Sequence, residues 1–350
     1  MTFPDFRSDY LEGAAPEILE RLIATNKEKT VGYGLDIYTE SAKEKIKAAC
    51  EAPEARVYLL SGGTQTNAVV LSALLAPYEG VVSADTGHIA SHEAGAIEAT
   101  GHKVLTVPNK DGKLTADRLL ALLCAYEDDE SREHTVKPGA VYISHPTEYG
   151  TLYSKEELLA LSDIAHSRNM PLFLDGAGLG YALAAGENDL SLPDIAALCD
   201  VFYIGGTKCG ALFGEAVVIT NPRLCPHFFS TVKQRGALLA KGRMLGLQFD
   251  TLFTDGLYFK ICKNALTEAE YMKNELIKLG FKLHVKSPTN QQFFVVDEAA
   301  LNKMRDKVGF TLWEKLRGGK AAIRLVTSFM TTREQVTELI EIMKNIGENK

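Results

Sequence analysis

Short, continuous apolar runs alternate with amphipathic segments over residues 56–219 of the chain. A continuous apolar run, in place of alternating polar and apolar positions, is typical of a strand with both faces covered. Such strands alternating with amphipathic helices predict an α/β fold with a mostly parallel sheet. The seven predicted strands cover Arg56–Leu60, Gly80–Ala84, Lys103–Val107, Gly139–Ser144, Met170–Leu174, Val201–Ile204 and Glu215–Ile219.

Amphipathic segments between these strands predict helices that cover the sheet. The clearest helix start is Ser154, because Glu157 stands at the capping-box position. That helix is predicted to end at about residue 167. Further helices are predicted over Gln65–Leu75, over His88–Thr100 with Gly101 closing it, and over Thr115–Tyr126.

The pattern changes near residue 260, where a second, smaller set of helices and strands begins. Its first helix is predicted to end at Leu279, because Gly280 follows as a C-terminal glycine. Two domains are expected: residues 1–260, an N-terminal segment with the large domain, and residues 261–350, a small α/β domain. The smaller set comprises helices over Ala265–Leu279, Glu298–Val308 and Thr332–Ile346, and strands over Lys282–Val285, Gln291–Val296 and Ala321–Thr327.

Composition narrows the class of partner. Lys and Arg number 38 against 45 Asp and Glu, and the net charge of −7 argues against a nucleic-acid partner. The mean hydropathy is −0.05, and no apolar run reaches the length of about 18 residues that predicts a membrane span. The six cysteines form no Cys-x-x-Cys pair, and no secretion signal opens the sequence. A cytoplasmic protein with reduced, buried cysteines is expected.

A glycine-bearing loop, Ser61-Gly62-Gly63-Thr64-Gln65-Thr66-Asn67, joins the first predicted strand to its helix. Glycines expose backbone N–H groups and a helix N-terminus favours an anion, so the loop is a candidate phosphate cup. A plain β-turn with Thr64 as the N-cap explains the loop equally well. The Gly-Lys-Ser/Thr ending of a nucleotide P-loop is absent.

Two charged residues follow buried strands, where open α/β sheets place their ligands. Asp175 ends an apolar strand and needs a partner, because an unpaired buried charge is costly. Lys208 lies among glycines after the next strand, and a desolvated lysine has a lowered pKa and can form a Schiff base. The alternatives are a helix cap for Asp175 and a solvated loop position for Lys208.

Two histidines follow the second strand. His88 can act as a base or as a flat stacking surface, and His92 stands one helical turn later. The His-Glu-x-x-His order of zinc enzymes is absent, so no metal site is expected. A phosphate loop, a histidine, a strand-end aspartate and a lysine together are the set that pyridoxal 5′-phosphate (PLP) requires. Trp313, the only tryptophan, is expected to pack in the smaller domain.

Seven motifs spread along the chain can be read as one set. They are Arg7-Ser8-Asp9, Tyr33-Gly34 with Asp36, Gly63-Thr64-Gln65-x-Asn67, His88 with Glu93-Ala94-Gly95, Asp175-Gly176-Ala177, Thr207-Lys208 and Arg324-Leu325-Val326-Thr327. As a set, they make the chain resemble the low-specificity L-threonine aldolase (β-eliminating lyase) family of fold-type I PLP enzymes, nearly from end to end. The resemblance implies the aspartate aminotransferase fold.

The resemblance also implies a role for each matching residue. Lys208 would form the Schiff base with PLP, Asp175 would pair with the ring nitrogen, and His88 would stack on the ring and is a candidate base. Arg324 would bind the substrate carboxylate through two hydrogen bonds. The other implied contacts are Gly63, Thr64 and Asn67 at the phosphate, Ala177, Thr207 and Arg243 at the cofactor site, and Ser8 and Tyr33 at the substrate.

Two further implications concern assembly and departures from the family. Tyr33 and Arg243 lie in segments that approach a neighbouring subunit in the family, so a homodimer or tetramer with the active site at the interface is implied.

Gly178 replaces an arginine that usually helps to bind the substrate carboxylate. Glu148 replaces a histidine that assists proton removal, and a buried carboxylate with a raised pKa can act as the base there.

The implied function is the cleavage of L-threonine or L-allo-threonine to glycine and acetaldehyde. The missing arginine at position 178 keeps two other PLP reactions open on the same scaffold, β-elimination and amino transfer. A PLP-binding protein without turnover is a third alternative.

Overall fold

A computed structural model describes residues 3–347 of the chain. Seven strands form the large sheet: β1 (Arg56–Leu60), β2 (Glu79–Ala84), β3 (Val104–Val107), β4 (Lys137–Ser144), β5 (Leu172–Asp175), β6 (Val201–Gly205) and β7 (Glu215–Ile219). Their order across the sheet is β1-β7-β6-β5-β4-β2-β3. Strand β7 runs antiparallel to both of its neighbours, and the other pairs are parallel. The predicted α/β fold with a mostly parallel, seven-stranded sheet is confirmed.

Both faces of this sheet are buried, which explains the continuous apolar runs in the sequence. The neighbouring residues Val81 and Val82 are both fully buried, yet they belong to two different apolar clusters. Because successive side chains of a strand point to opposite faces, each cluster fills one side of the sheet. A strand between two apolar layers has no polar face, so alternation is absent from its sequence.

Thirteen helices surround the sheets of the described chain. Ser154 accepts a hydrogen bond from the Glu157 amide, and the Glu157 side chain accepts one in return, so the predicted capping box is confirmed. The helices are α1 (Pro16–Thr25), α2 (Ile37–Ala49), α3 (Gly63–Leu74), α4 (His88–Ser91), α5 (Ala116–Asp128), α6 (Lys155–His166), α7 (Leu179–Ala184), α8 (Leu192–Leu198), α9 (Phe228–Gln234), α10 (Arg243–Leu252), α11 (Leu257–Lys278), α12 (Glu298–Met304) and α13 (Arg333–Gly347).

The predicted helix over His88–Thr100 is wrong. Helix α4 ends at Ser91, and only the short 3-10 helix Glu98–Thr100 follows. Ala94 and Gly95 adopt left-handed backbone angles, with φ of 51° and 74°, which no α-helix can contain. Glu93 therefore lies outside helix α4, and its Oε1 is 2.7 Å from His88 Nδ1.

The C-terminal part of the chain forms a second, antiparallel sheet. Its strands are β8 (Lys282–Val285), β9 (Gln291–Asp297), β10 (Thr311–Leu316) and β11 (Lys320–Val326), in the order β10-β11-β9-β8. Helices α11 and α13 pack on it through an apolar cluster of their own. Strand β10 is absent from the sequence prediction because none of its residues is buried and its apolar and polar residues do not alternate.

The N-terminal segment packs on this C-terminal part of the chain. The Phe6 amide donates a hydrogen bond to the Gly309 carbonyl (2.8 Å), and the buried Phe6 ring belongs to the C-terminal apolar cluster. Helix α11 begins at Leu257, so residue 260 lies inside a helix. The division into two domains at residue 260 stays a prediction.

The cysteines are all free thiols, and five of the six are buried. Within residues 3–347, none of the helices has the length and apolar character needed to cross a membrane.

Two glycines let the ends of β5 and β6 come close together. A Cβ on Gly176 would lie 2.0 Å from the Tyr203 carbonyl oxygen, and one on Gly205 would lie 2.1 Å from the Ala177 carbonyl oxygen. Both distances are far below any real contact, so only glycine fits at either position. The Gly205 amide also donates to the Gly176 carbonyl (2.9 Å). This close approach sets the loop that carries Lys208 beside the strand end that carries Asp175.

We predict that Gly205→Ala destabilises the protein by about 1–3 kcal/mol or more, because the opposing atoms are backbone and cannot move aside. Gly186→Ala is the matched control, since a Cβ there would meet nothing within 4 Å. Denaturant unfolding measures both variants. Equal free energies of unfolding for the two variants would show that the strand ends are not held this tightly.

Candidate active site

A cavity of about 410 Å³ opens where β1, β4, β5 and β6 end. This is the edge of the sheet where parallel α/β proteins bind ligands. Most of the residues that the sequence singled out line it: Ser8, Gly63, Thr64, His88, Glu148, Asp175, Ala177, Thr207, Lys208 and Arg324.

Asp175 is buried at the end of β5, with only 4% of its surface exposed. Its Oδ2 accepts hydrogen bonds from the Tyr142 hydroxyl (2.6 Å) and the Asn67 amide (3.0 Å). Its Oδ1 accepts from the Ala177 amide (3.1 Å) and the Tyr203 hydroxyl. Four hydrogen-bond donors thus meet the two oxygens of this one carboxylate. Nothing in the sequence marked the two tyrosines, which lie on β4 and β6 beside β5.

The predicted place of Asn67 at the phosphate is corrected by the structure. Asn67 is fully buried in α3, and its Nδ2 donates to Asp175 (3.0 Å) and to Glu93 Oε1 (2.7 Å). Thr64 is three residues earlier on the same helix and is exposed at the cavity. Asn67 instead faces the sheet and joins two carboxylates that would otherwise repel each other.

Glu93 extends this hydrogen-bond network to His88. His88 Nδ1 lies 2.7 Å from Glu93 Oε1. Burial lowers the pKa of His88, but the Glu93 hydrogen bond and the charge of Asp175 raise it above its usual value overall. Potential metal-ligand atoms of His88, Glu93 and Asp175 lie within 4.8 Å of one another. His88 and Glu93 are hydrogen-bonded directly, and Asn67 bonds both Glu93 and Asp175, so hydrogen bonds account for this closeness.

Lys208 reaches the cavity from the loop after β6. The lowered pKa expected for this amine is contradicted by the structure. Burial does lower the pKa, but the carboxylates of Asp9 and Asp175 raise it more, and the net pKa lies above the ordinary value. The buried Asp9 carboxylate, which accepts from Asn290 Nδ2 (2.9 Å), was not foreseen as a neighbour of Lys208.

The start of α3 forms the candidate phosphate cup. The first helical hydrogen bond runs from the Thr66 amide to the Gly62 carbonyl (2.9 Å). The three N–H groups before it have no helical acceptor, as at any helix N-terminus. Gly62 supplies no capping side chain, and a Cβ on Gly63 would lie 3.1 Å from the Tyr203 hydroxyl. The geometry therefore leaves free N–H donors at the cavity, as the phosphate prediction requires.

Thr207 and Glu215 form a hydrogen-bonded pair in the wall of the cavity. Thr207 Oγ1 donates to Glu215 Oε1 (2.8 Å) and accepts from the Gly214 amide (3.0 Å). The Glu215 carboxyl is buried, and within residues 3–347 its other oxygen has no hydrogen-bond partner. Burial raises the pKa of Glu215 to about 8, so this acid holds its proton at neutral pH. Glu215 is not among the site residues predicted from the sequence, because it starts a strand and matches no motif.

Glu148 lies after β4 and lines the same cavity. Its Oε1 accepts a short hydrogen bond from the Ser144 hydroxyl (2.6 Å), while its Oε2 is buried and has no partner in the described part of the chain. Burial raises the pKa of Glu148 to about 7. A carboxyl group with that pKa exchanges protons readily at neutral pH, as a general base must.

Arg324 projects from β11 into the cavity wall. Its Nη1 donates to Gln291 Oε1 (3.0 Å) and its Nη2 makes a long contact with the Arg7 carbonyl (3.5 Å). Its Nε is buried and has no acceptor among the described residues. Burial lowers the pKa of Arg324, and the nearby Asp9 carboxylate opposes this shift. A half-buried guanidinium whose Nε has no acceptor is suited to an anionic ligand. Ser8, which is buried, lines the cavity with it.

Tyr33 and Arg243 do not reach this cavity within one chain. Tyr33 is 46% exposed and stands beside a different groove, with the Lys233 ammonium 4.9 Å from its ring. Arg243 donates to the carbonyls of Glu28 (2.9 Å) and Thr25 (3.0 Å). A role for either residue at the cofactor or substrate requires a second subunit.

The residues of the cavity fit PLP. Free amides at the start of α3 suit a phosphate, the Asp175 carboxylate suits a protonated pyridine nitrogen, and the Lys208 amine suits an aldehyde. Three different chemical groups of one cofactor thus find matching partners on the walls of one cavity.

Comparisons of the sequence agree with this donor set. The pattern of the β-eliminating lyase family matches residues 5–300. A low-specificity L-threonine aldolase from Pseudomonas sp. (strain NCIMB 10558) is 30% identical over 338 residues, which cover 95% of each chain. The low-specificity L-threonine aldolase of Pseudomonas aeruginosa is 29% identical over 95% of each chain.

Solved structures give the same assignment. A threonine aldolase from Leishmania major superimposes with a TM-score of 0.95 at 40% identity, covering 98% of this chain and 99% of that chain. An aspartate aminotransferase from Thermotoga maritima has a TM-score of 0.74 at 16% identity, covering 100% of this chain and 92% of that chain. The second likeness shows the fold alone, and the expected aspartate aminotransferase architecture is confirmed. The chain therefore belongs to the β-eliminating lyase family of PLP-dependent, fold-type I enzymes.

Proposed function

We propose that this protein is a PLP-dependent aldolase that cleaves the Cα–Cβ bond of L-threonine or L-allo-threonine, giving glycine and acetaldehyde. The observation that carries the proposal is the single cavity that Lys208, Asp175 and Arg324 line together. Three proteins that match over nearly the whole chain at 29–40% identity are threonine aldolases, which supports the same reaction here.

Arg324 is the proposed anchor of the substrate carboxylate. It is the cavity's guanidinium, and its unpaired Nε is available for a carboxylate oxygen. Gly178, at the position of the family's second arginine, also lines the cavity but supplies no charge. Ser8 completes the proposed carboxylate site. The substrate is thereby oriented by one strong cation instead of two.

Lys208 and Asp175 are proposed to hold the cofactor, with the amides of Gly63 and Thr64 at its phosphate. When bound, PLP supplies an electron sink for the pair of electrons released at Cα. The charged Asp175 carboxylate favours a proton on the cofactor's ring nitrogen, which strengthens that sink. Lys208 Nζ, whose pKa the neighbouring carboxylates raise, is the proposed proton carrier at Cα.

Glu148 is the proposed base for the β-hydroxyl group. Its Oε2 has no partner, so it can accept the hydroxyl proton as the carbonyl of acetaldehyde forms. Ser144 holds the other oxygen and so fixes the carboxylate in place. His88, oriented by Glu93, is proposed to stack on the cofactor ring and is the alternative base.

We also propose a homodimer or tetramer in the cytoplasm, with Tyr33 and Arg243 close to the partner's cavity. The exposure of the apolar side chains around Tyr33, namely Val31 (63%), Leu35 (59%) and Ile37 (70%), supports burial against another subunit. Six free thiols support a reducing compartment.

The proposed reaction is tested by product analysis. Protein incubated with PLP is expected to release acetaldehyde and glycine in equal amounts from L-threonine or L-allo-threonine. Ammonia with a keto acid would instead indicate β-elimination, and transfer of the amino group to an added keto acid would indicate an aminotransferase. Bound PLP without any of these products would indicate a protein that has lost turnover.

We predict that the aldolase rate falls as the pH drops through about 7, because protonated Glu148 cannot accept a proton. Glu148→Gln is expected to lower kcat by about 100-fold or more and to abolish this pH dependence. The pH profile of kcat/KM measures both effects. An unchanged profile in Glu148→Gln would assign the base to another group, with His88 the first candidate.

Ser144→Ala separates titration of Glu148 from a general loss of structure. The Ser144 hydroxyl donates to the charged form of Glu148 and so lowers its pKa. Removing the hydroxyl is expected to shift the acidic limb of the profile to higher pH while activity at alkaline pH is kept. A limb that stays in place would contradict the assignment.

A further inference from the structure

Trp313 stands at an irregular point of the edge strand β10. Leu312 pairs with Ile323 of β11, and Glu314 pairs with Ala322, so the pairing skips Trp313. Such a β-bulge redirects the side chain of the extra residue. The Trp313 ring lines the cavity instead of packing only within the C-terminal sheet, which corrects the role expected from the sequence.

The indole makes a direct contact with Arg324. The guanidinium carbon lies over the ring, 5.1 Å from its centroid. Gln291 holds Nη1 of the same guanidinium at 3.0 Å. A planar cation that is hydrogen-bonded at one nitrogen and stacked on an aromatic face has little freedom to rotate.

Rings from other elements hold the indole in place. Phe293 of β9 and Tyr149, after β4, meet it edge-on, with centroids 5.1 Å and 5.5 Å away. His92 stacks beside it, with centroids 6.1 Å apart and planes 15° apart. The Trp313 ring is therefore held by one residue of the C-terminal sheet and by two loop residues that follow β4 and α4, and it can serve as a rigid platform.

We propose that Trp313 is a positioning residue that holds Arg324 in the orientation that binds the substrate carboxylate. This inference rests on the proposed function, in which Arg324 is the carboxylate anchor. It accounts for a substrate site with Gly178 in place of the family's second arginine, because one pre-oriented guanidinium loses less freedom on binding than a mobile one. Trp313 itself need not touch the reacting atoms.

The test compares two ligands of the PLP-loaded protein, glycine and ethanolamine, which both carry an amine but of which only glycine has a carboxylate. Binding is followed by the change in the cofactor's visible absorbance. Trp313→Leu is expected to weaken glycine about 10-fold and to raise KM for L-threonine about 10-fold, with kcat kept within about 3-fold. Its affinity for ethanolamine is expected to be unchanged.

Two further variants control for structure. Trp313→Phe keeps an aromatic face and is expected to bind glycine within about 3-fold of the unmodified protein. Leu312→Ala removes a 38% exposed side chain from the same strand and is expected to change neither ligand. Equal weakening of glycine and ethanolamine by Trp313→Leu, or unchanged glycine binding, would overturn the inference.

Different results would overturn the role of Trp313 and the proposed aldolase reaction. Carboxylate-dependent weakening by Trp313→Leu in a protein that releases no aldehyde from any β-hydroxy amino acid supports the role of Trp313 and overturns the aldolase reaction. If the protein is an active aldolase and Trp313→Leu leaves its affinity for glycine unchanged, only the role of Trp313 is overturned.

Discussion

The Asp175 carboxylate can stay buried at the end of a strand only because donors from neighbouring elements meet it there. An unpaired buried charge would take up a proton or destabilise the fold, since removing it from water is costly. Tyr142 of β4, Tyr203 of β6 and Asn67 of α3 supply three of the donors. Because each of these donors comes from a different element, the Asp175 carboxylate links α3, β4 and β6 to the end of β5. The close approach at Gly205 then places the lysine loop beside it.

The Asp175 carboxylate also affects the pKa values of other groups in the cavity. Burial raises the pKa of Glu148 to about 7 and that of Glu215 to about 8, and the charge of Asp175 acts in the same direction. Asp9 and Asp175 together raise the pKa of Lys208 against the effect of burial. Burial and the Asp175 charge thus act together on the pKa values of its neighbours. Lys208 and Arg324 line the same cavity and are its candidate partners for anionic groups of the ligands.

Sequence patterns predicted the large sheet well, because strands buried on both faces are continuous apolar runs. They also identified Asp175 and Lys208, since charged residues at the ends of such strands stand out. The helix predicted from His88 failed because periodicity does not reveal the left-handed backbone at Ala94. Asn67 was misplaced because its helix turns it toward the sheet, which spacing alone does not specify. Trp313 was taken for packing, since a bulge at a mixed edge strand leaves no periodic signal.

The central claim is that Lys208 is the residue that holds the cofactor. The most direct measurement is borohydride reduction of the protein incubated with PLP, followed by peptide mass spectrometry to locate the modified lysine. We expect one phosphopyridoxyl group per chain, on the peptide that contains Lys208. We expect no such group in Lys208→Ala, whereas Lys286→Ala, which removes a side chain 77% exposed, is labelled normally. A single label on any other lysine, or the same label in Lys208→Ala, would show that another residue holds the cofactor.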